Sequence, residues 1–403
     1  MNNNYEKQSF GNNGAWINRR LIVIIMVMVS IAAMVAALLV ASHFDKKAGR
    51  VEVGSSAETI VKTNSTVRLE IPLFVNEQYL VGRGVIAYME SDLSEDVAKV
   101  LAEYRTSQPM DTGYPVVINF DITGIPYGYQ ITALRAEISE NTAFDAPRVI
   151  PLQIDDRSVN VYYLKTGTQY YFRIIMTISN GSEIMAQGSF KTAATPRVLG
   201  IDGIVNVRDF GGWKTESGQT IRQGLLYRGS EPDGYTEGKY IITEKGKDAM
   251  VNVLGVKTQI DLRWDVQLDS FGDQVEHRRY AVSMYSKIFE EESQERLQLL
   301  FSDMANPDMY PAYIHCTYGW DRTGTVCAIL GFLLGMSEED VIREQELTAL
   351  CHGGSNIEQF EEFIAELKKN EGNTMQQKVE NYLLSIGVKQ EEIDSIREIF
   401  LTD

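Results

Sequence analysis

The sequence predicts three successive regions: an apolar N-terminal helix, an all-β sandwich-like domain, and an α/β domain whose central sheet is flanked by helices. Three observations lead to this prediction. An apolar run follows a short polar tail, strand-like segments with turn signals come next, and a strand, a loop and an apolar helix follow one another in residues 313–334. The predicted boundaries are 1–20 for the tail, 21–42 for the apolar helix, 51–195 for the sandwich-like domain and 197–403 for the α/β domain.

The apolar run at residues 21–41 contains only one polar side chain, Ser30. A helix needs about 20 residues to cross a hydrocarbon core, whereas the apolar part of a signal peptide has about 7–15. The run therefore predicts an uncleaved signal anchor, with cleavage near Ser42 as the alternative. Arg19 and Arg20 adjoin the run, which favours a cytoplasmic tail and an extracytoplasmic main part. The prediction is a single-pass protein of the cell membrane.

Composition limits the partners of the chain. Its 403 residues carry a formal net charge of −17, and nucleic-acid binding requires a basic surface instead. The cysteines Cys316, Cys327 and Cys351 all lie in the C-terminal half and form no disulfide framework. Cys351 and His352 have no second ligand pair nearby, so we expect no metal site.

Segments at 66–71 and 114–120 have the composition of strands. A further strand at 164–175, a turn at 179–182 and a strand at 186–192 form a predicted hairpin. This hairpin, with its leucine, turn and tyrosine pair, resembles the last two strands of a fibronectin type III sandwich.

Residues 94–106 read as helical, which predicts an insertion or a variant of the sandwich. Residues 193–196 are the predicted linker. We expect the sandwich-like domain to be a spacer that holds the α/β domain away from the membrane. The alternative is a domain that binds a surface protein or a glycan.

Residues 313–325 read Tyr-Ile-His-Cys-Thr-Tyr-Gly-Trp-Asp-Arg-Thr-Gly-Thr, with five residues between Cys316 and Arg322. Successive backbone N–H groups of such a loop can point inward and form a nest for an anion. Gly319 and Gly324 permit the close approach or positive φ that a nest needs. The helix that follows presents its N-terminus to the same anion.

Two side chains of this loop carry chemistry. A cysteine thiolate at a helix N-terminus is an activated nucleophile. Arg322 can bind two oxygens of a phosphoryl group through its guanidinium. Because cysteine and arginine supply the nucleophile and the charge stabilisation, no cofactor is expected. The ordinary alternative for Cys316 is a buried structural cysteine.

The loop resembles the cysteine-x5-arginine phosphate loop of the protein tyrosine phosphatase superfamily. The resemblance implies hydrolysis of a phosphate monoester in two steps through phospho-Cys316. It also implies that His315 orients the loop and that the Thr323 hydroxyl helps the thiolate to leave in the second step. The predicted phosphate-binding residues are Thr317, Tyr318, Gly319, Trp320, Asp321 and Arg322.

Asp321 stands inside the loop, whereas most tyrosine phosphatases carry their general acid on a separate loop. Its surroundings, Gly-Trp-Asp-Arg-Thr, resemble the myotubularin lipid phosphatases, and the Asp-Arg-Thr-Gly ending resembles the bacterial atypical tyrosine phosphatases. We therefore predict that Asp321 protonates the leaving group. The alternative is a carboxylate that only holds the loop by bonding its backbone or Arg322, and Glu290, Glu291 and Glu292 are rival acids.

Residues 204–212 and 225–230 resemble the opening of the bacterial atypical tyrosine phosphatases, also called tyrosine phosphatase family 3. The resemblance implies that Arg208, Asp209 and Arg228 support the loops around the phosphate site. An ordinary surface ion pair between Arg208 and Asp209 is the alternative.

The other segments complete the predicted α/β domain. The strand at 256–263 ends in charged residues, and ligands of α/β sheets gather at the carboxyl ends of strands. Asp261, Arg263 and Asp265 are therefore expected on the catalytic side. Residues 280–285 read as a strand and 286–306 as a lid or substrate loop. Helices are predicted at 341–350, 357–369, 379–386 and 390–401.

The substrate remains open between two classes. The resemblance implies phosphotyrosine on proteins, whereas the myotubularin-like segment implies phosphoinositides or inositol phosphates. A polyphosphate site would favour lysines in the loop, and none lies between Cys316 and Arg322, which favours phosphotyrosine. A further alternative is a surface-binding module with a vestigial phosphate site.

Overall fold

The computed structural model describes residues 58–60, 67–72, 74–92, 97, 100, 113–236, 238–264, 270–352 and 356–402. The predicted tail and membrane anchor, Asp265, and most of the predicted helix at 94–106 lie outside these residues. Within the described part of the chain, no helix combines the length and the apolar character that crossing a membrane requires.

The N-terminal part is rich in antiparallel strands. Its main sheet has the order β1-β10-β9-β6-β7, with β3 added in parallel to β10, and two further strand pairs join β2 to β5 and β4 to β8. The strands are β1 (Glu58–Ile60), β2 (Arg68–Glu70), β3 (Glu77–Gln78), β4 (Val116–Asn119), β5 (Asp121–Thr123), β6 (Ile131–Ser139), β7 (Arg148–Leu152), β8 (Ser158–Val161), β9 (Gln169–Ile178) and β10 (Glu183–Thr192).

The hairpin of β9 and β10 follows from its sequence. Residues of both strands alternate between buried and more exposed positions, as expected when one face packs on a core. Gly181 turns the chain with a φ of +83°. Gly188 faces Phe172 across the strands, and a Cβ there would lie 2.6 Å from the Phe172 ring. An N-terminal β-rich domain is thus present, and its resemblance to fibronectin type III stays a prediction.

The C-terminal part contains a five-stranded sheet of order β11-β12-β15-β13-β14. All neighbours pair in parallel except β11, which is antiparallel to β12. Every residue of the central strand β15 is buried, because helices cover a parallel sheet on both faces. The strands are β11 (Arg208–Asp209), β12 (Leu226–Gly229), β13 (Thr258–Asp261), β14 (Glu276–Arg279) and β15 (Ala312–His315).

The helix that follows β15 is apolar on all sides after its polar first turn and lies in the core of the domain. It ends at Gly335, whose φ of +89° suits a glycine after a helix. The helices are α1 (Arg83–Glu90), α2 (Glu244–Asp248), α3 (Glu291–Met304), α4 (Asp321–Leu334), α5 (Glu338–Glu346), α6 (Ala349–His352), α7 (Ile357–Leu367), α8 (Met375–Ser385) and α9 (Gln390–Phe400).

Two predictions for the middle of this domain are wrong. Residues 280–285 do not form the predicted strand; the strand of this segment is β14, which ends at Arg279. Residues 286–306 form no lid, because they contain the end of a 3-10 helix (Tyr285–Phe289) and then α3. Leu297, Leu300 and Phe301 recur at helical spacing and are fully buried, so this segment belongs to the core.

The helix α1 interrupts the β-rich part of the chain. Its side chains Val85 and Tyr88 are buried in the hydrophobic core of the α/β domain, not in that of the β domain. The described residues of both regions accordingly belong to one compact unit.

Candidate active site

Cys316 stands at the junction of β15 and the loop that leads into α4. It is buried, with 2% of its surface exposed. Because β12, β13 and β15 run in parallel, their carboxyl ends meet at this edge of the sheet. This is the place where α/β sheets bind their ligands.

The loop from Cys316 to Arg322, called the phosphate loop below, requires its glycine. Gly319 has a φ of +65°, which other residues rarely adopt. A Cβ on Gly319 would lie 2.2 Å from the carbonyl oxygen of Gly229, the last residue of β12. The backbone of Glu231 also donates to the Thr317 carbonyl over 3.0 Å. The end of β12 therefore shapes the phosphate loop.

Arg322 closes the phosphate loop at its other end. Its Nη2 donates to Oγ1 of Thr317 over 3.2 Å, so the guanidinium turns back towards the beginning of the loop. None of the ion pairs among the described residues uses Arg322, which is half-buried. Its charge is thus available for the oxygens of a bound phosphoryl group.

Asp321 is fixed from outside the phosphate loop. Its Oδ1 accepts hydrogen bonds from the Tyr285 hydroxyl and from Nδ2 of Asn356, the latter over 2.9 Å. Burial and the charge of Asp321 raise the pKa of Tyr285, so its hydroxyl remains a donor. These partners differ from the alternative predicted above, in which the carboxylate bonds Arg322 or the loop backbone. The second carboxylate oxygen of Asp321, Oδ2, takes part in neither of these two hydrogen bonds.

A buried cluster of charges lies beneath the phosphate loop. Arg228 is fully buried and donates to the Gly319 carbonyl over 2.8 Å and to Glu344. Arg208 donates from Nε to Oε1 of Glu344 over 2.7 Å and from Nη1 to Asn206. Asn206 in turn donates to the carbonyls of Tyr318 and Gly319. We call Arg208, Arg228, Glu344 and Asn206 the loop cluster.

The loop cluster carries two cations and one anion. Burial raises the pKa of Glu344, but the charges of Arg208 and Arg228 outweigh it and hold that pKa below its usual range. With Glu344 ionised, the cluster has a formal charge of +1 beneath the phosphate loop. This charge favours the binding of an anion above it.

His315 supports Cys316 from behind. Its Nδ1 lies 3.1 Å from the Cys316 carbonyl, and its Nε2 lies 2.9 Å from Nε2 of Gln259. Burial lowers the pKa of His315 to about 4, so the ring is neutral at pH 7. Since a carbonyl only accepts, Nδ1 must carry the proton and Gln259 must donate to Nε2.

Asp261 lies at the carboxyl end of β13, beside His315 of β15. It accepts four hydrogen bonds from Arg263, whose guanidinium also pairs with Glu231 and Asp233. Burial raises the pKa of Asp261, but two neighbouring imidazoles and the bonds and charge of Arg263 outweigh it and lower that pKa. We call Arg263, Glu231, Asp233 and Asp261 the strand-end cluster; its formal charge is −2.

Asp209 bonds groups outside the phosphate loop. It pairs with the buried Arg197 over 2.6 Å and accepts from the backbone of Gly211 and Gly224. The predicted alternative of a surface pair between Arg208 and Asp209 is therefore wrong, because both are buried and each has another partner.

The predicted residues Tyr318, Trp320 and Thr323 belong to the loop or to the first turn of α4. Oγ1 of Thr323 is buried and has no hydrogen-bond partner among the described residues, so it is available as a donor. Trp320 stacks on His352 with ring centres 5.2 Å apart, and Tyr318 contacts Tyr240 edge to face at 6.0 Å. Glu290, Glu291 and Glu292 are exposed at the beginning of α3.

Sequence reasoning missed several residues of the site: Asn206, Glu344, Tyr285, Asn356, Gln259 and Lys239. All of them reach the phosphate loop or its neighbours from remote segments. A partial signal exists in the sequence for Glu344, because α5 has few apolar residues and yet lies in the core, so its polar side chains need buried partners.

A buried cysteine at the end of a parallel strand, followed by a glycine-bent loop that an arginine closes, defines a cysteine-based phosphatase site. The model of the tyrosine phosphatase family matches residues 199–402, and the chain belongs to this family.

Solved structures that resemble the chain include the core catalytic domain of the PP-IP phosphatase SIW14 from S. cerevisiae in complex with citrate. It is 16% identical, with a TM-score of 0.27, and the match covers 44% of this chain and 93% of that one. TpbA from P. aeruginosa is 15% identical, with a TM-score of 0.25, over 45% of this chain and 88% of that one. No curated protein matches the chain.

Proposed function

We propose that the protein hydrolyses phosphotyrosine in proteins through a phospho-Cys316 intermediate. The observation that carries this proposal is the placement of Cys316 at the beginning of the loop that Arg322 closes, above the positively charged loop cluster. In the first step the Cys316 sulfur attacks phosphorus and the phenolate leaves. In the second step water displaces the sulfur and releases inorganic phosphate.

The aromatic side chains around the phosphate loop support a phosphotyrosine substrate. Tyr318 and Trp320 belong to the loop itself and are partly exposed, and Tyr240 and His352 pack against them. Aromatic rings pair favourably with one another in stacked or edge-to-face arrangements. A phenyl ring entering with its phosphate towards Cys316 would meet such partners.

Asp321 is the proposed general acid. Tyr285 and Asn356 hold Oδ1, and Oδ2 would give its proton to the leaving phenolate. Asp321→Asn should lower kcat by about 10²- to 10⁴-fold for phenyl phosphate and much less for p-nitrophenyl phosphate, whose leaving group needs no proton. Equal losses on both esters would contradict the acid role and favour a structural one.

A second candidate substrate is a phosphoinositide or an inositol phosphate, and Lys239 favours it. This exposed lysine comes from outside the loop, and its Nζ lies 5.5 Å from the ring centre of Tyr318. A second phosphate group of a substrate could pair with it. Lys239→Gln should then reduce turnover of the phosphoinositide and leave that of a phosphotyrosine peptide unchanged.

The test is phosphate release by the full chain, in detergent, under reducing conditions and without added metal. The substrates are a phosphotyrosine peptide, a phosphoserine peptide and a phosphoinositide, with Cys316→Ser as the blank. The proposal expects preference for the phosphotyrosine peptide. Preference for the phosphoinositide would support the second candidate, and no turnover that depends on Cys316 would leave the binding-module alternative.

The cellular placement is a separate proposal that rests on the sequence. Residues 21–42 would anchor the protein in the membrane, with the phosphatase domain outside the cytoplasm and extracellular phosphoproteins as its substrates. Protease added to intact cells should degrade the phosphatase domain if this orientation is correct. A domain that is digested only after lysis would contradict it.

A further inference from the structure

The helix α1 of the β-rich region is embedded in the phosphatase domain. Tyr88 is 1% exposed, and Val81 and Val85 are buried beside it in the core that also contains Cys316. A spacer that only separates the enzyme from a membrane would not need to bury side chains there. The position of α1 calls for another explanation.

Among the described residues, hydrogen bonds join α1 and Ser91, the residue after it, to α5 of the phosphatase domain. The Tyr88 hydroxyl donates to Oε2 of Glu346. Arg343 donates to the carbonyls of Tyr88 over 2.9 Å and Ser91 over 2.6 Å. Burial and the charge of Glu346 raise the pKa of Tyr88, so the hydroxyl remains protonated. The contacts therefore fix one side of α5.

The residues between these contacts on α5 face the phosphate loop. Glu344 pairs with Arg228, which donates to the Gly319 carbonyl over 2.8 Å. Gln345 donates from Nε2 to the Trp320 carbonyl over 3.3 Å. Residues 343–346 occupy a single turn of helix, so a shift of α5 moves the groups that hold α1 and those that hold the loop together.

We propose that α1 is a positioning element of the phosphatase: it sets the place of α5 and thereby the geometry of the phosphate loop. Tyr88 and Arg343 are the positioning residues of this connection. The β-rich region is then a part of the working enzyme. The proposal depends on the phosphate loop as an anion-binding site and does not depend on which phosphate ester is the natural substrate.

The test compares Tyr88→Phe with Tyr170→Phe in the full chain. Both substitutions remove one hydroxyl of a buried tyrosine, but the Tyr170 hydroxyl bonds the backbone of Lys165 within the β domain. The measurements are the Kd of tungstate, a phosphate-like anion, by calorimetry, kcat/KM for p-nitrophenyl phosphate, and Tm. Arg343→Lys, which keeps the charge, is a second variant in case Tyr88→Phe does not fold.

At a temperature well below the Tm of each variant, Tyr88→Phe and Arg343→Lys should each weaken tungstate binding and lower kcat/KM by about threefold to tenfold. Tyr170→Phe should change neither the Kd of tungstate nor kcat/KM. Tyr88→Phe combined with Gln345→Met should lower kcat/KM by a smaller factor than the product of the two single reductions, because both substitutions act through α5.

If Tyr88→Phe and Arg343→Lys lower Tm but keep tungstate Kd and kcat/KM within about twofold of wild type, the positioning role is wrong. A wild-type protein that binds tungstate without hydrolysing any ester would contradict only the proposed function. The tungstate Kd of each variant relative to that of the wild type would then still test the positioning role. Wild type that binds no tungstate would contradict both.

Discussion

Two buried groups of charges flank the strand that delivers Cys316, and they differ in sign. The loop cluster has two arginines for one glutamate and bonds the carbonyls of Tyr318 and Gly319. The strand-end cluster has one arginine for three carboxylates, and its side chains bond one another and the segment at 233–236. The comparison indicates that buried charge near an active site has two uses: one cluster shapes the anion site, and the other holds strand ends together.

The largest effect is expected where the loop cluster loses its only anion. Glu344→Gln leaves the guanidinium groups of Arg208 and Arg228 buried without a counter-charge, which should lower the free energy of unfolding by about 3–5 kcal/mol. Loss of the bond that orients Arg228 should also displace the Gly319 carbonyl and lower kcat/KM by about 10- to 100-fold. Urea unfolding at pH 7 and turnover of p-nitrophenyl phosphate measure the two effects.

The matched control is Glu338→Gln in the first turn of the same helix, where the carboxylate pairs with Lys368 at the surface. Such a pair contributes at most about 1 kcal/mol. If Glu344→Gln were no more harmful than this control, the loop cluster would not have the role assigned to it.

An effect of intermediate size is expected for His315, which lies between the two clusters. Its folded pKa of about 4 is below the ordinary value of 6.5, so the unfolded chain binds a proton more readily. The contribution of neutral His315 to the free energy of unfolding is therefore fully present above pH 6.5 and is lost as the pH falls towards 4. The loss should reach about 3 kcal/mol at pH 4.

His315→Asn isolates this contribution, because the asparagine amide can still donate to the Cys316 carbonyl but does not titrate. The difference in unfolding free energy between wild type and His315→Asn should shrink between pH 6.5 and 4. A difference that stays constant over this range would mean that the negative strand-end cluster stabilises protonated His315 and offsets its burial.

The smallest effect is expected in the strand-end cluster. Asp233→Asn leaves Arg263 with Glu231 and Asp261 as partners and removes one of three crowded negative charges. The free energy of unfolding should change by less than about 1 kcal/mol, and kcat/KM should stay within about twofold. The same two assays apply, and a loss of activity as large as that of Glu344→Gln would abolish the distinction between the clusters.

The sequence allowed prediction of the parts of the site that are contiguous in the chain. The loop from Cys316 to Arg322 could be predicted directly, since its cysteine, glycine and arginine and their spacing lie in one short segment. The hairpin of β9 and β10 and the helix α7 were predictable for the same reason, because their periodicities are local.

The rest depends on contacts between remote segments. Asn206 and Glu344 come from positions far apart in the chain and both accept hydrogen bonds from Arg208, and nothing near either residue indicates the other. The local sequence predicts Tyr285 at the end of a strand, whereas it begins a 3-10 helix and bonds Asp321. The role of α1 could not be predicted either, because nothing in its own sequence shows that its apolar side chains pack in the core of the α/β domain.

The central claim is that Cys316 carries the phosphoryl group during turnover. Its most direct test is rapid acid quenching of the full chain with a phosphotyrosine peptide, followed by mass spectrometry of the fragment that contains residues 312–322. The account predicts one phosphoryl group on Cys316 before steady state is reached and no turnover by Cys316→Ser. A phosphoryl group on another residue, or turnover that persists in Cys316→Ser, would contradict it.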